Sequence, residues 1–274
     1  MPLLLDPMST PHPGVAAPSA AGRGVPAEAL RSDLSELYAL SQHSPHVFAS
    51  PLGPLSAGGT PVYLPRFVFF GPHACDDSWR IAFLAGIDCR DLRASRALLA
   101  LATRLAACAE AGHALNLSFF PLVDVLGLAG ARADRGLAEA PWGHGSPPEI
   151  GLLERDARQR GYHGFVRVET GPPGEELIVL RVRGVYSDAA SPDLELITSE
   201  ETRSFPVRFE ARPGGAPARD GPLSLARDLP LAPFELTLRL PAAWSDDAYQ
   251  HAAVTLLERF LQRYRAFQAY GQHL

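Results

Sequence analysis

Apolar and polar positions follow two rhythms along this chain. Short apolar or alternating runs mark strands, and apolar residues spaced three and four apart mark helices. Arg80 to Leu84 reads as a buried strand ending in Ala85-Gly86. After the polar turn Asp88-Cys89-Arg90-Asp91, a helix runs from about Leu92 to Gly112, its apolar face carrying Leu98, Leu99, Leu101, Ala102 and Leu105. Gly112 suits the position just past a helix end. Ala114 to Val123 reads as a second buried strand, and strand, helix, strand in this order predicts a right-handed crossover and a parallel pair. Further strands are predicted at Gly164–Glu169, Leu177–Val182 and Phe234–Leu240, the last with leucine at every second position.

The remaining segments are less uniform. Residues 1–26, rich in Pro, Ala, Ser and Gly, predict a disordered tail ahead of one domain over 27–274. Pro26 to Leu40 has helical spacing, with Leu30, Leu34 and Leu37 aligned. A loop follows to Gly59, then Val62–Phe70 as a strand pair or one bent strand broken at Pro65. Asp124–Gly145 reads as loop. Ser146-Pro147-Pro148-Glu149 has the form of a capping box opening a helix to about Arg160. Tyr186–Leu229 carries no clear pattern, and Asp246 to about Ala269 is a long amphipathic helix.

Composition narrows the classes. A chain of 274 residues with 46% hydrophobic side chains can bury one large core. No apolar run approaches the roughly 18 residues of a membrane span, and the first residues have no basic, then apolar, secretory pattern. The expected compartment is therefore the cytosol. A formal charge of −5 gives no footprint for nucleic acid. Cys75, Cys89 and Cys108 form no C-x-x-C pair, which argues against a disulfide framework or a structural zinc site. All 25 cationic side chains are arginine; we read this as genome composition, and it excludes lysine Schiff-base chemistry.

Asp88, Asp91 and Glu169 lie where strands end, and in a parallel sheet such ends face one side. Three carboxylates would suit Mg²⁺, Mn²⁺ or Ca²⁺ better than Zn²⁺. Equally, Asp88 and Asp91 could cap a helix while Glu169 pairs with an arginine. His73, Cys75, Asp76 and Asp77 cluster in a Gly-Pro turn, the ordinary composition of a solvated loop. His144 and His163 are isolated. There is no Gly-x-Ser-x-Gly elbow, phosphate loop or dinucleotide fingerprint.

As an ordered set, several pieces resemble the zinc carboxypeptidase superfamily. They are Leu64-Pro65-Arg66-Phe67, Phe70-Gly71-Pro72, Phe83-Leu84-Ala85-Gly86-Ile87, Pro121-Leu122-Val123, Ser146-Pro147-Pro148-Glu149 and Pro233-Phe234-Glu235-Leu236 before a closing helix. The nearest branch looks like the bacterial succinylglutamate desuccinylase/aspartoacylase-like proteins. The resemblance spans about residues 50–274. It implies a single α/β domain with a mixed, mostly parallel sheet and helices on both faces. In that family Ala-Gly-Ile precedes His-Gly-Asp-Glu, whose His and Glu bind zinc; here the slots hold Asp88-Cys89-Arg90-Asp91. The third ligand, a histidine, falls at Glu169, and the general-base glutamate at Arg239. Arg132 or Arg135 would stand in for a substrate-carboxylate arginine.

Arginine cannot act as a base at any workable pH, and loss of a general base costs a factor of about 10²–10⁴. The resemblance thus implies a catalytically degenerate, non-catalytic binding or regulatory protein. Arg239 would fill the former zinc cleft among Asp88, Asp91 and Glu169, no cofactor would be needed, and a peptide, a small acidic metabolite or an active paralogue would be the partner. The rival expectation is an active hydrolase of acyl-amino acids or peptides with Zn, Mn or Mg on the three carboxylates.

Overall fold

The long apolar runs are strands covered on both sides. In the computed structural model, Ile81 and Phe83 point to one face of the strand Trp79–Leu84 (β5) and Ala82 and Leu84 to the other, and all four are buried. A strand buried on both faces needs apolar residues at consecutive positions, which is the pattern read from the sequence. The structure describes residues 24–76, 78–132, 136–137, 140, 142, 145–184, 205–211 and 234–271. The expected disordered tail lies outside them up to residue 23, as do Asp77, Arg135, His144 and most of 186–229.

In chain order the elements are α1 (Gly24–Ser41), β1 (Val47–Ala49), β2 (Leu52–Ala57), β3 (Thr60–Leu64), β4 (Phe67–Phe70), β5, α2 (Leu92–Ala107) and β6 (Leu115–Phe120). There follow α3 (Val125–Leu128), α4 (Pro148–Arg160), β7 (Gly164–Thr170), β8 (Ile178–Gly184), β9 (Val207–Ala211), β10 (Phe234–Leu240) and α5 (Asp246–Gly271). Eight strands form one sheet in the order β1-β4-β6-β5-β7-β10-β8-β9, and β2 and β3 form a separate hairpin. The middle is parallel, β6 to β5 to β7 to β10, with β8 and β9 parallel to each other. β1, β4 and the β8–β10 seam are antiparallel. This is a single α/β domain with a mixed, mostly parallel sheet.

Helices cover both faces. Leu30, Leu34 and Leu37 of α1, the leucines of α2, and Leu257, Phe260 and Leu261 of α5 pack on the face carrying Phe83, Val166 and Leu238. Ile150, Leu153 and Ala157 of α4 pack on the opposite face, against Ala82, Leu84 and Phe165. Beyond Phe165 that second face turns charged: Arg167 and Glu169 of β7 share it with Glu235 and Arg239 of β10.

Several boundaries differ from expectation for local reasons. Residues 24–26 are helical, so α1 starts inside the expected tail. The segment expected as loop up to Gly59 contains β1 and β2. Val62–Phe70 is a pair of strands broken at Pro65-Arg66 as expected, but the two lie in different sheets. α2 stops at Ala107, and Gly112 ends a 3-10 turn instead. A Cβ on Gly112 would sit 2.3 Å from the Phe69 ring, so glycine there serves close packing.

At the amino end of β5, His163 Nδ1 accepts from Arg80 N at 3.1 Å and its ring lies 4.6 Å from that of Trp79. Burial, then the Arg80 charge, holds the imidazole below its ordinary pKa. The folded protein therefore refuses a proton that the unfolded chain accepts near pH 6.5. This contribution to stability is complete above that pH and is lost as pH falls toward the folded pKa. Urea midpoints at pH 7.5 and 5.5 should thus differ less in His163→Asn than in the parent.

Candidate functional site

The carboxyl ends of β5, β7 and β10 face one side, where open α/β sheets place their ligands. The chain leaves β5 through Gly86, whose φ of +59° is a left-handed conformation that glycine adopts freely. A turn closed by Asp91 N to Asp88 O at 2.9 Å then delivers Asp91 to the start of α2. Asp91 Oδ1 accepts from Ala94 N at 3.3 Å, capping the helix. The same carboxylate accepts from Thr170 N at 2.7 Å and from Thr170 Oγ1 at 2.6 Å. Thr170 Oγ1 lies 3.1 Å from the phenol oxygen of Tyr249, a buried residue of α5. The Arg93 guanidinium sits 4.5 Å over that ring. Asp91 therefore joins α2, the end of β7 and, through Thr170, α5.

Asp88 turns the other way. It accepts from the backbone N of Arg90 at 2.9 Å and from the Arg90 guanidinium through both oxygens, Nε to Oδ1 at 2.8 Å and Nη2 to Oδ2 at 2.5 Å. These bonds hold its carboxyl below the usual range. Between them, the Cys89 thiol is pushed up to about 11, first by burial and then by the Asp124 carboxylate. At neutral pH it is a protonated thiol and a poor nucleophile.

The expected cluster of Arg239 with Asp88, Asp91 and Glu169 is not what the side chains form. Arg239 does sit opposite Glu169 in the β7–β10 register. Its guanidinium, however, forks onto Glu175, Nε to Oε2 at 2.7 Å and Nη2 to Oε1 at 2.9 Å. The turn after β7, Pro172-Pro173-Gly174, brings Glu175 back over the strand end, and a bidentate partner outcompetes a side-by-side one. Glu169 lies 3.4 Å from Arg167, which also reaches the buried Glu235 at 3.4 Å. Each of the three acids has its own partner.

Those partners bear on a metal ion. Asp91 spends both oxygens on three donors, and Asp88 spends both on Arg90. Among the described residues no group of three or more His, Cys, Asp and Glu could hold a metal. The acids at the strand ends are each taken up by the chain's own donors and do not converge on one point. His73 stands apart, its ring 5.0 Å from that of His113.

Arg132, expected to hold a substrate carboxylate, holds two of the chain's own. Nη1 donates to Asp124 Oδ1 at 2.7 Å and Nη2 to Glu149 Oε2 at 2.7 Å. Asp124 is 1% and Glu149 0% exposed. Asp124 also caps α3 through Gly127 N at 3.0 Å and accepts from Cys89 N at 3.2 Å. The helix start differs from expectation too. Pro147, not Ser146, caps α4, and a proline offers neither a side-chain acceptor nor a backbone N–H for a capping box; Glu149 is turned inward to Arg132. Thr170, Tyr249, Glu175 and Asp124 were not picked out from the sequence as site residues; Asp124, in Pro-Leu-Val-Asp after β6, had the clearest signal, a carboxylate following a strand end as Asp88 and Asp91 do.

No protein-family model matches the chain, and no curated protein matches it. Solved structures do. A metallo-carboxypeptidase from Burkholderia cenocepacia superposes with a TM-score of 0.66 at 14% identity, covering 88% of this chain and 69% of that one. Carboxypeptidase A from Helicoverpa armigera superposes with a TM-score of 0.60 at 11% identity, covering 87% and 72%. With an eight-stranded mixed sheet, helices on both faces and these superpositions, the chain has the fold of the metallocarboxypeptidases.

Proposed function

We propose that this chain is a carboxypeptidase-fold protein without hydrolytic chemistry, related to the desuccinylase/aspartoacylase-like branch, that binds a peptide or small acidic metabolite or regulates an active paralogue. The observation that carries the reading is the Asp91–Thr170 pair. The strand-end carboxylate that a metal would need is spent on the neighbouring strand, at 2.7 and 2.6 Å. A cation would have to displace three donors from it, and Arg239, at the position matching the family's base, cannot accept a proton. No cofactor enters this reading.

The test combines elemental analysis of purified protein with assays on N-acyl-amino acids and peptides bearing a free carboxyl terminus. The expected result is less than a tenth of an equivalent of Zn, Mn or Mg (roughly the background of such a measurement), no metal-dependent rise in Tm, and no turnover. Turnover that Asp88→Ala abolishes, or one tightly held equivalent of metal, would establish the hydrolase alternative instead.

A further inference from the structure

We infer that Arg239 and Arg208 form a carboxylate-binding site at the strand ends, which Glu175 fills from within the chain as a displaceable plug. This supplies the ligand class for the binding role proposed above and rests on that reading. The Arg239–Glu175 contact has the two-pronged geometry by which a guanidinium takes a free carboxylate. Arg208 Nη2 adds a second cation 3.3 Å from Glu175 Oε1.

The backbone is shaped around the guest. A Cβ on Gly171 would lie 2.3 Å from Glu175 Oε2, so the carboxylate rests against the main chain in space that a side chain would fill. Gly171 N is itself fixed to Leu240 O at 2.7 Å, which sets this cradle beside Arg239 on β10. The guest arrives on a short tether. Glu175 follows Pro172-Pro173-Gly174, closed by one turn from Glu175 N to Pro172 O at 3.2 Å. Gly174 has a φ of +88° and open space where a side chain would be. The Glu175 side chain is 9% exposed while Arg208 is 49% exposed, so the pair has one side toward solvent from which a second carboxylate can approach. Glu169 and Glu210 flank the arginines, so any second carboxylate of a ligand has to extend away from them toward solvent.

A tethered carboxylate competes at an effective concentration in the millimolar range or above. The parent protein should therefore bind free carboxylates weakly, and removing the plug should raise affinity by about tenfold or more. Calorimetric titration of the full chain with succinate, a tripeptide with a free carboxyl terminus, and the same tripeptide amidated tests this. Glu175→Ala should bind succinate or the free tripeptide at least about tenfold tighter than the parent, and adding Arg239→Gln should remove the gain. Succinate without the peptide identifies a small dicarboxylate. The free but not the amidated peptide identifies a chain terminus. Glu175→Gln, which keeps the side chain but removes the charge that Arg239 and Arg208 hold, should show the gain if Glu175→Ala does not fold. No gain in either folded variant would show Glu175 to be a strut and overturn the inference, leaving the absence of hydrolysis untouched. Turnover would remove the non-catalytic reading without altering the binding result.

Discussion

Replacing Arg132 with alanine should cost about 3–5 kcal/mol of stability, the usual loss when one partner of a buried ion pair is removed. Here the loss falls at the upper end, because two carboxylates are stranded at once. Asp124 is 1% exposed and Glu149 0% exposed, and each gives up its charged donor. What stays behind is neutral: Gly127 N and Cys89 N on Asp124, Leu126 N on Glu149. For a chain of this size, a loss of that order corresponds to a fall in Tm of about 10 °C. Arg132→Lys should recover part of it, since an ammonium keeps the charge but cannot reach both acids in the fixed fork of a guanidinium. Thermal unfolding of the three proteins reads the result. A ligand-gripping arginine would behave differently, losing affinity at unchanged Tm, and that outcome would restore Arg132 to the role its sequence position implied.

The same residue illustrates what a sequence pattern can carry. β5, β7 and β10 were legible because burial on both faces, or on alternate positions, writes itself into residue type. Leu236, Leu238 and Leu240 all point to the α2–α5 side. β1 and β2 were not legible. β1 has three residues, and β2 contains Gly53-Pro54, which on composition reads as a turn. α3 is a single turn of four residues, too short for any helical period to show. At the candidate site, strand order put Asp88, Asp91 and Glu169 at one end of the sheet, since parallel strands end on the same side, and the resemblance added Arg239. It could not choose partners. Arg239 has Glu169 beside it in register and Glu175 arriving from a turn, and the choice rests on a few ångströms of loop path that no periodicity encodes. Thr170 was missed for a related reason. A threonine at a strand end is ordinary until the opposite carboxylate is seen to face it.

That facing pair supports the second large effect. Asp91→Ala removes the cap of α2, worth about 0.5–2 kcal/mol, and strands Thr170 N and Oγ1, where an orphaned buried donor costs about 1–3 kcal/mol. Thr170 is partly exposed, so water recovers some of the second cost, and the sum should be about 2–4 kcal/mol. Asp91→Asn keeps an acceptor oxygen for the cap or for Thr170 and should lose about half as much. Thr170→Val deletes the hydroxyl bond at similar volume, and its effect should not add to that of Asp91→Ala. A double-mutant cycle by urea unfolding should return a coupling of about 1 kcal/mol or more. A structural tie moves stability and leaves metal content alone, whereas a metal ligand would lose bound metal in Asp91→Ala and show no coupling to the Thr170 hydroxyl. Strong coupling would therefore mean that the carboxylate at the head of α2 does its work by holding β7 in place, and a cation competing for it would have to break the fold's own bond first.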